Sequence, residues 1–201
     1  MKIVLIALKL ADQLPEGKAD LIGCDKGALT LAEQHRHMVC AVGDFDSVRE
    51  EDISLITKWS DQVIRLNPIK DDSDSEHAVK TAIDLGYDQI VMCGAFGGRA
   101  DHALVNLRLL WKYADCLELW DAENDAYVIG PGRHEIKKNG YDYISFFTWE
   151  DAVITLSGFK YPLTDRTLTS SDLYTVSNEI LSDTGIVDVK KGRVMVLQCR
   201  D

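Results

Sequence analysis

A chain of 201 residues with 46% hydrophobic and 27% charged content can bury a sizeable core, as one large domain or two small ones, and has the make-up of an ordinary globular protein. Its net charge of −11 argues against nucleic acid as a partner, because phosphate backbones are held by clustered Lys and Arg. A nucleotide stays open to an acidic protein when Mg²⁺ carries part of the charge balance.

The opening run of apolar residues after Lys2 is broken early by Lys9, and no small-residue cleavage site follows, so it predicts a first β-strand rather than an export signal. No stretch approaches the length of a membrane span. Cys24, Cys40, Cys93, Cys116 and Cys199 are odd in number and scattered, without a CxxC pair, and predict buried free thiols in a reducing cytoplasm. The expectation is a soluble, cytoplasmic protein that engages neither membrane nor nucleic acid.

From there to about residue 125, short apolar runs alternate with helical patterns. Strands are expected at 21–25, 39–42, 62–66, 89–93 and 117–120, with helices at 28–35, 48–59, 73–85 and 101–113. The helix from Ser73 carries a capping box with Glu76, an apolar stripe of Ala78, Val79, Ala82 and Ile83, and a stop at Gly86. In the helix from Asp101, the spacing turns Ala103, Leu104, Leu107, Leu110 and Trp111 inward. Such alternation predicts a Rossmann-like α/β fold, a mostly parallel sheet with helices on both faces. Beyond Gly130-Pro131-Gly132 helical spacing gives way to short β-like runs at 141–149, 153–156, 185–189 and 194–198, punctuated by turn formers, which reads as a small antiparallel sandwich or roll. The expected domains are 1–126, α/β, and 127–201, β.

Three stretches carry chemistry, each where an apolar run ends. Gly43-Asp44-Phe45-Asp46-Ser47 follows a buried strand, at the carboxyl edge where open α/β sheets bind ligands. Asp44 and Asp46, two apart on extended backbone, share one side and repel unless a hard cation lies between them; a solvated acidic turn is the plainer alternative. Ser47 is expected as the N-cap of the next helix, with Glu50 closing a capping box. Lys70-Asp71-Asp72-Ser73-Asp74 leads into the capped helix, so Asp71 and Asp74 flank its N-terminus, where an acid can also be a mere dipole partner. In the stretch from Gly94 to His102, Gly94, Gly97 and Gly98 let backbone N–H groups approach an anion, Arg99 offers a planar fork for phosphate oxygens, and Asp101 opens the next helix. It is neither a Walker loop nor a GxGxxG turn.

GDFDS at 43–47, KDDSDSE at 70–76, GAFGGRADH at 94–102, GFKYPL at 158–163 and SNE at 177–179 together resemble the thiamine pyrophosphokinase family in its bacterial form, in the family's order and over most of the chain. The resemblance implies transfer of a pyrophosphoryl group from ATP to the hydroxyethyl group of thiamine, releasing AMP, with Mg²⁺ required. It also implies a homodimer binding thiamine between subunits, with an ATP- and Mg²⁺-binding α/β domain and a β domain for thiamine binding and dimerisation.

Carried onto this sequence, the resemblance makes Asp44, Asp46, Asp74 and Asp101 the metal-binding acids, and Asp71, Asp74, Arg99 and Asp101 the catalytic set. Asp25 and Gly27 match a DGG turn near the nucleotide, in which Lys26 replaces a glycine, while Ser47, Lys70, Ser73, Gly97 and Gly98 complete the nucleotide site. Tyr161 stands where a ring stacks on thiamine, and Ser177 with Asn178 would hydrogen-bond the pyrimidine. A carboxylate such as Asp71 or Asp101 could accept the alcohol proton. The residues alone leave open a Mg²⁺-dependent phosphohydrolase or a non-catalytic nucleotide- or thiamine-sensing module.

Overall fold

A computed structural model describes residues 2–46, 48–67, 69 and 72–201, so that Ser47, Lys70 and Asp71 lie outside the described residues. The chain divides into two compact units, Met1–Ala122 and Glu123–Asp201.

The first unit contains β1 (Ile3–Ala7), β2 (Asp20–Cys24), α1 (Lys26–Glu33), β3 (Cys40–Gly43), α2 (Glu50–Lys58), β4 (Val63–Arg65), α3 (Asp74–Asp84), β5 (Gln89–Cys93), α4 (Ala100–Lys112) and β6 (Leu117–Trp120). Its strands run parallel in the order β4-β3-β2-β1-β5-β6. The chain builds outward from β1 to β4 and then crosses back to add β5 and β6 on the other side of β1. Right-handed crossovers therefore put α1 and α2 on one face and α3 and α4 on the other. The strand pleat agrees: Leu5, Ala7, Val91 and Cys93 join the core made with Leu31 and Ala32 of α1 and Ile56 of α2. The alternate positions Val4, Ile6, Ile90 and Met92 are also fully buried, as expected of a sheet covered on both faces. The reversal of strand order lies between β1 and β5, which fixes where a ligand crevice opens.

Helix limits differ from the sequence expectation where side chains find other partners. Helix α2 begins at Glu50 with Arg49 as its N-cap residue, the Arg49 guanidinium binding Asp52, and the capping box expected from Ser47 lies outside the described residues. At α3 the Ser73 hydroxyl accepts the Glu76 N–H at 3.1 Å, as a capping box requires, but the Glu76 carboxylate reaches Lys112 and Tyr113 instead of turning back. Gly86 and Tyr87 close α3 by bonding Ile83 and Ala82, the Schellman pattern. The stripe of α3 buries Ala78, Val79 and Ala82 but leaves Ile83 exposed. In α4 the inward side is Asn106, Leu109 and Leu110, and Leu104, expected inside, is 54% exposed.

The second unit contains β7 (Asn124–Ile129), β8 (Gly132–Lys137), β9 (Tyr143–Phe147), β10 (Ala152–Ser157), β11 (Leu163–Leu168), β12 (Thr184–Lys191) and β13 (Val194–Cys199). β13 pairs antiparallel with β7 and β9, and a four-stranded antiparallel sheet runs β11-β10-β12-β8. Inward residues of both layers, among them Ile144, Phe146, Ile154, Leu156, Val187, Val189 and Val196, form one core, the arrangement of a β-sandwich. All five cysteines are free; Cys24, Cys40 and Cys93 are buried, while Cys116 and Cys199 are only partly so. Burial pushes the Cys40 thiol up to about 11 and that of Cys93 to about 12, which leaves both unreactive. Among the described residues no helix is long and apolar enough to cross a membrane.

Candidate active site

A cavity of about 430 Å³ opens at the carboxyl ends of the first unit's strands. The loops after β1 (Leu8, Lys9, Leu10) and β5 (Gly94, Ala95, Gly97, Gly98, Arg99) form its two sides, at the point where the strand order reverses. Asp25 and Lys26 after β2, Asp44 and Asp46 after β3, and Ser73 and Asp74 at the start of α3 line the rest.

Asp25 is the residue around which the acidic side is built. It turns the chain from β2 into α1 with φ 49° and ψ −117°, the conformation of the first corner of a type II′ turn, which a side chain rarely adopts. Its backbone is held on both sides: the N–H donates to the Val42 carbonyl at 3.0 Å and the carbonyl accepts from Ala28. Strain of this kind persists only where surrounding contacts over-determine it, and it gathers at functional sites. The carboxylate crosses to the loop after β3, where Oδ1 accepts the Phe45 N–H at 3.3 Å. A Cβ on Gly43 would lie 1.9 Å from that same oxygen, so the approach requires glycine there.

Asp25, Asp44 and Asp74, all half-buried, bring ligand oxygens within 4.8 Å of one another. Three carboxylates that close repel unless a cation sits among them, and an all-oxygen set suits a hard ion such as Mg²⁺. The group differs from the metal set expected from sequence: Asp25, read there as a nucleotide contact, is a member, and Asp46 and Asp101 are not. Asp46 lines the cavity, and its N–H donates to Asp44 Oδ1 at 3.0 Å, fixing the turn that aims Asp44.

On the opposite side, Gly97 and Gly98 take φ of 79° and 64°, a left-handed path open to glycine without penalty. Arg99 follows, and its Nε and Nη2 bind the two carboxylate oxygens of Asp101 at 3.1 and 2.6 Å. That fork, with the His102 N–H, holds the Asp101 carboxyl down at about 2 and raises the Arg99 guanidinium further. Asp101 thus orients Arg99 rather than joining the acid cluster. Two of the guanidinium's five donors are used in this fork, and a guanidinium is a donor set suited to phosphate oxygens.

The second unit holds the other expected contacts. Tyr161 is 57% exposed, with the Lys160 ammonium 5.7 Å from its ring centre. Ser177 is exposed, has φ 53°, and donates its N–H to Ser145 Oγ. Asn178 is only 4% exposed, and its amide is turned to backbone: Oδ1 accepts from Tyr161 and Glu179, and Nδ2 donates to the Tyr161 carbonyl. Three hydrogen bonds to backbone thus occupy the amide on both its oxygen and its nitrogen.

Sequence reasoning passed over Lys9, Leu8, Leu10 and Asn106, which also line the cavity. The strand-end signal that singled out Asp44 applies also to Lys9, two residues past the end of β1. Asn106 carries a different signal, a polar residue three on from Ala103 and four before Leu110, on the apolar side of its helix.

Residues 11–120 match the family "Thiamin pyrophosphokinase, catalytic domain" and residues 133–194 the family "Thiamin pyrophosphokinase, vitamin B1 binding domain". The chain is 34% identical to a thiamine pyrophosphokinase of Bacillus subtilis strain 168 over 186 residues, covering 90% of this chain and 87% of that one. It is 26% identical to thiamine pyrophosphokinase 2 of Arabidopsis thaliana over 149 residues, 68% of this chain and 56% of the plant protein. A crystal structure of the Bacillus subtilis enzyme superposes over the whole of both chains with a TM-score of 0.89 at 32% identity. One from Geobacillus thermodenitrificans covers 100% of this chain and 98% of its own with a TM-score of 0.85 at 31% identity.

Proposed function

The chain belongs to the thiamine pyrophosphokinase family, which transfers a pyrophosphoryl group from ATP to thiamine, and from that premise we propose that the cavity of the first unit is its ATP site, with Mg²⁺ held by Asp25, Asp44 and Asp74. The observation that carries this reading is the juxtaposition of three carboxylates within 4.8 Å with a glycine-Arg loop, in one cavity at the strand-order reversal. Both the donor set and its charge fit the ion.

Pyrophosphoryl transfer asks the protein mainly for in-line positioning and for neutralisation of spreading negative charge. Mg²⁺ bound by the three aspartates supplies part of that neutralisation and a template for the phosphate oxygens. Gly97 and Gly98 offer backbone N–H groups to those oxygens, and Arg99, steadied by Asp101, offers the donors its partner leaves free. Asp46 keeps Asp44 aimed at the cluster, and Ser73 and Asp74 present the N-terminus of α3. A carboxylate held at about 2 is a poor proton acceptor near neutral pH, which favours Asp101 as an orienting group over a base for the thiamine alcohol.

Tyr161 and Ser177 act on thiamine in this reading, with Asn178 behind Tyr161, and the protein works as a homodimer whose sites are shared between subunits. The exposed apolar side chains of the second unit, Leu173, Tyr174, Val176 and Leu181 together with Tyr161, support an interface there. Five free cysteines support a cytoplasmic setting. Incubation with ATP, Mg²⁺ and thiamine, following AMP, tests the reading. AMP should appear only when thiamine and Mg²⁺ are both present; phosphate release without thiamine would mark a phosphohydrolase and sink it.

A further inference from the structure

Asn106 lines the cavity from the second turn of α4, yet the residue is only 4% exposed. Its Nδ2 donates to the Ala95 carbonyl at 2.9 Å, and its Oδ1 is buried with no hydrogen-bond partner among the described residues. A buried polar atom left unpaired is costly to the fold, so its retention calls for a partner. The amide cannot relieve the cost by flipping. Turned over, it would set Oδ1 against the Ala95 oxygen, two acceptors face to face. The Ala95 bond therefore fixes Oδ1 as an acceptor waiting for a donor.

We propose that Asn106 is a nucleotide-recognition residue, its Oδ1 accepting a hydrogen bond from an N–H or O–H group of the nucleoside part of ATP. A carbonyl acceptor repels phosphate oxygens, which suit the N–H groups at Gly97 and Gly98 and the Arg99 fork instead. Leu8, Leu10, Cys24 and Ala95 also line the cavity, apolar walls suited to a base or sugar face with a few placed polar groups. Within the nucleoside two sources share the needed chemistry, the exocyclic amine of adenine and the ribose hydroxyls. A site built to accept from such a group discriminates against an analogue that lacks it, because the buried oxygen is then left unpaired.

This inference rests on the cavity's being the ATP site, and the experiment separates the two. Binding of ATP, of purine riboside triphosphate (no amine), and of 2′-deoxy-ATP and 3′-deoxy-ATP to the full chain with Mg²⁺ is measured by calorimetry. The proteins are wild type, Asn106→Leu, Asn106→Ala and Asp74→Asn. One analogue should bind wild type about ten-fold more weakly than ATP, and that difference should shrink to about two-fold or less in the Asn106 variants. Which analogue loses affinity identifies amine or hydroxyl. If wild type binds all four alike, the proposal is overturned without any variant. It is equally overturned if the difference survives in folded Asn106→Leu or Asn106→Ala, since Asn106 would then only hold Ala95. Asp74→Asn should weaken all four together; if it changes none of them, the reading of the cavity itself has failed.

Discussion

Asn178 grips the backbone of Tyr161 with both halves of one amide, Oδ1 accepting the Tyr161 N–H and Nδ2 donating to the Tyr161 carbonyl, each at 2.9 Å. With Oδ1 also accepting the Glu179 N–H, the side chain substitutes for a strand partner at a place where no ladder continues. The Tyr161 ring, proposed to stack on thiamine, is therefore held from behind. Asn178→Ala, which leaves part-buried backbone groups unpaired, should cost about 1 kcal/mol in denaturant unfolding. Its KM for thiamine should rise while its KM for ATP stays near wild type. Tyr161→Phe, which keeps the clamp, should leave stability unchanged; an ATP KM that rises in step with thiamine's in Asn178→Ala would remove the clamp's link to the acceptor site.

The acid cluster makes a sharper claim about Asp25. Asp25→Asn retains an oxygen for the Phe45 N–H but removes charge from the three-carboxylate group, as Asp44→Asn and Asp74→Asn also do. Each should lower turnover by roughly two orders of magnitude at limiting Mg²⁺, the scale of losing a main electrostatic contributor. Asp46→Asn, outside the group, should lose far less. A Mg²⁺ titration in which Asp46→Asn is the worst variant and Asp25→Asn is near wild type would reassign the metal set. Gly43→Ala is a second route to the same end, since its Cβ would displace the Asp25 carboxylate. It should raise the Mg²⁺ requirement although it adds only a methyl group.

The Arg99 and Asp101 pair fixes a pH dependence. A carboxyl held at about 2 in the folded chain lies below the unfolded value of about 3.9. Its contribution to stability is therefore complete above the unfolded value and is lost as pH falls through about 2. Between pH 5 and 9 this pair should add no inflection to the stability curve. Proton titration of Asp101 by NMR should give the low midpoint in wild type and a midpoint moved up toward the ordinary carboxylate range in Arg99→Gln. Arg99→Lys should keep the melting temperature but lose activity with ATP, because an ammonium cannot both hold Asp101 by a fork and meet phosphate oxygens. Kinetics unchanged in Arg99→Lys would take the residue out of the phosphate site.

Much of this site was legible in sequence for a local reason. Asp44 follows an apolar strand directly, Gly97, Gly98 and Arg99 lie in the loop that follows another, and the carboxyl edge of a parallel sheet is where such residues converge. Asp25 also ended a strand, but its entry into the acid group depends on a II′-like turn and on Gly43 standing clear, which no periodicity records. The phase of α4 was misread because an apolar count favours Leu104 over Asn106, whereas the Ala95 carbonyl holds the polar residue inward. In the second unit β8 and β11 escaped notice because Arg133, Glu135, Thr164, Asp165 and Arg166 are exposed, which breaks the apolar runs by which the other strands were found. Asn178 was read as a ligand contact from its motif; its use on Tyr161 is long-range pairing that spacing does not reveal.

The last prediction concerns how the two units cooperate. The phosphate and metal residues belong to Met1–Ala122, and Tyr161, Ser177 and Asn178 to Glu123–Asp201. If each site joins the phosphate side of one subunit to the thiamine side of the other, two inactive variants can rescue each other. Asp74→Asn disables the first side, and Tyr161→Ala combined with Asn178→Ala the second. Equal amounts refolded together should give about half mixed dimers, each with one intact and one doubly damaged site, so that roughly a quarter of wild-type activity returns. Differential tags confirm that subunits have exchanged. A mixture as dead as its parents after confirmed exchange would mean that each site is built within one chain, and a monomer in light scattering would rule out sharing before any mixing.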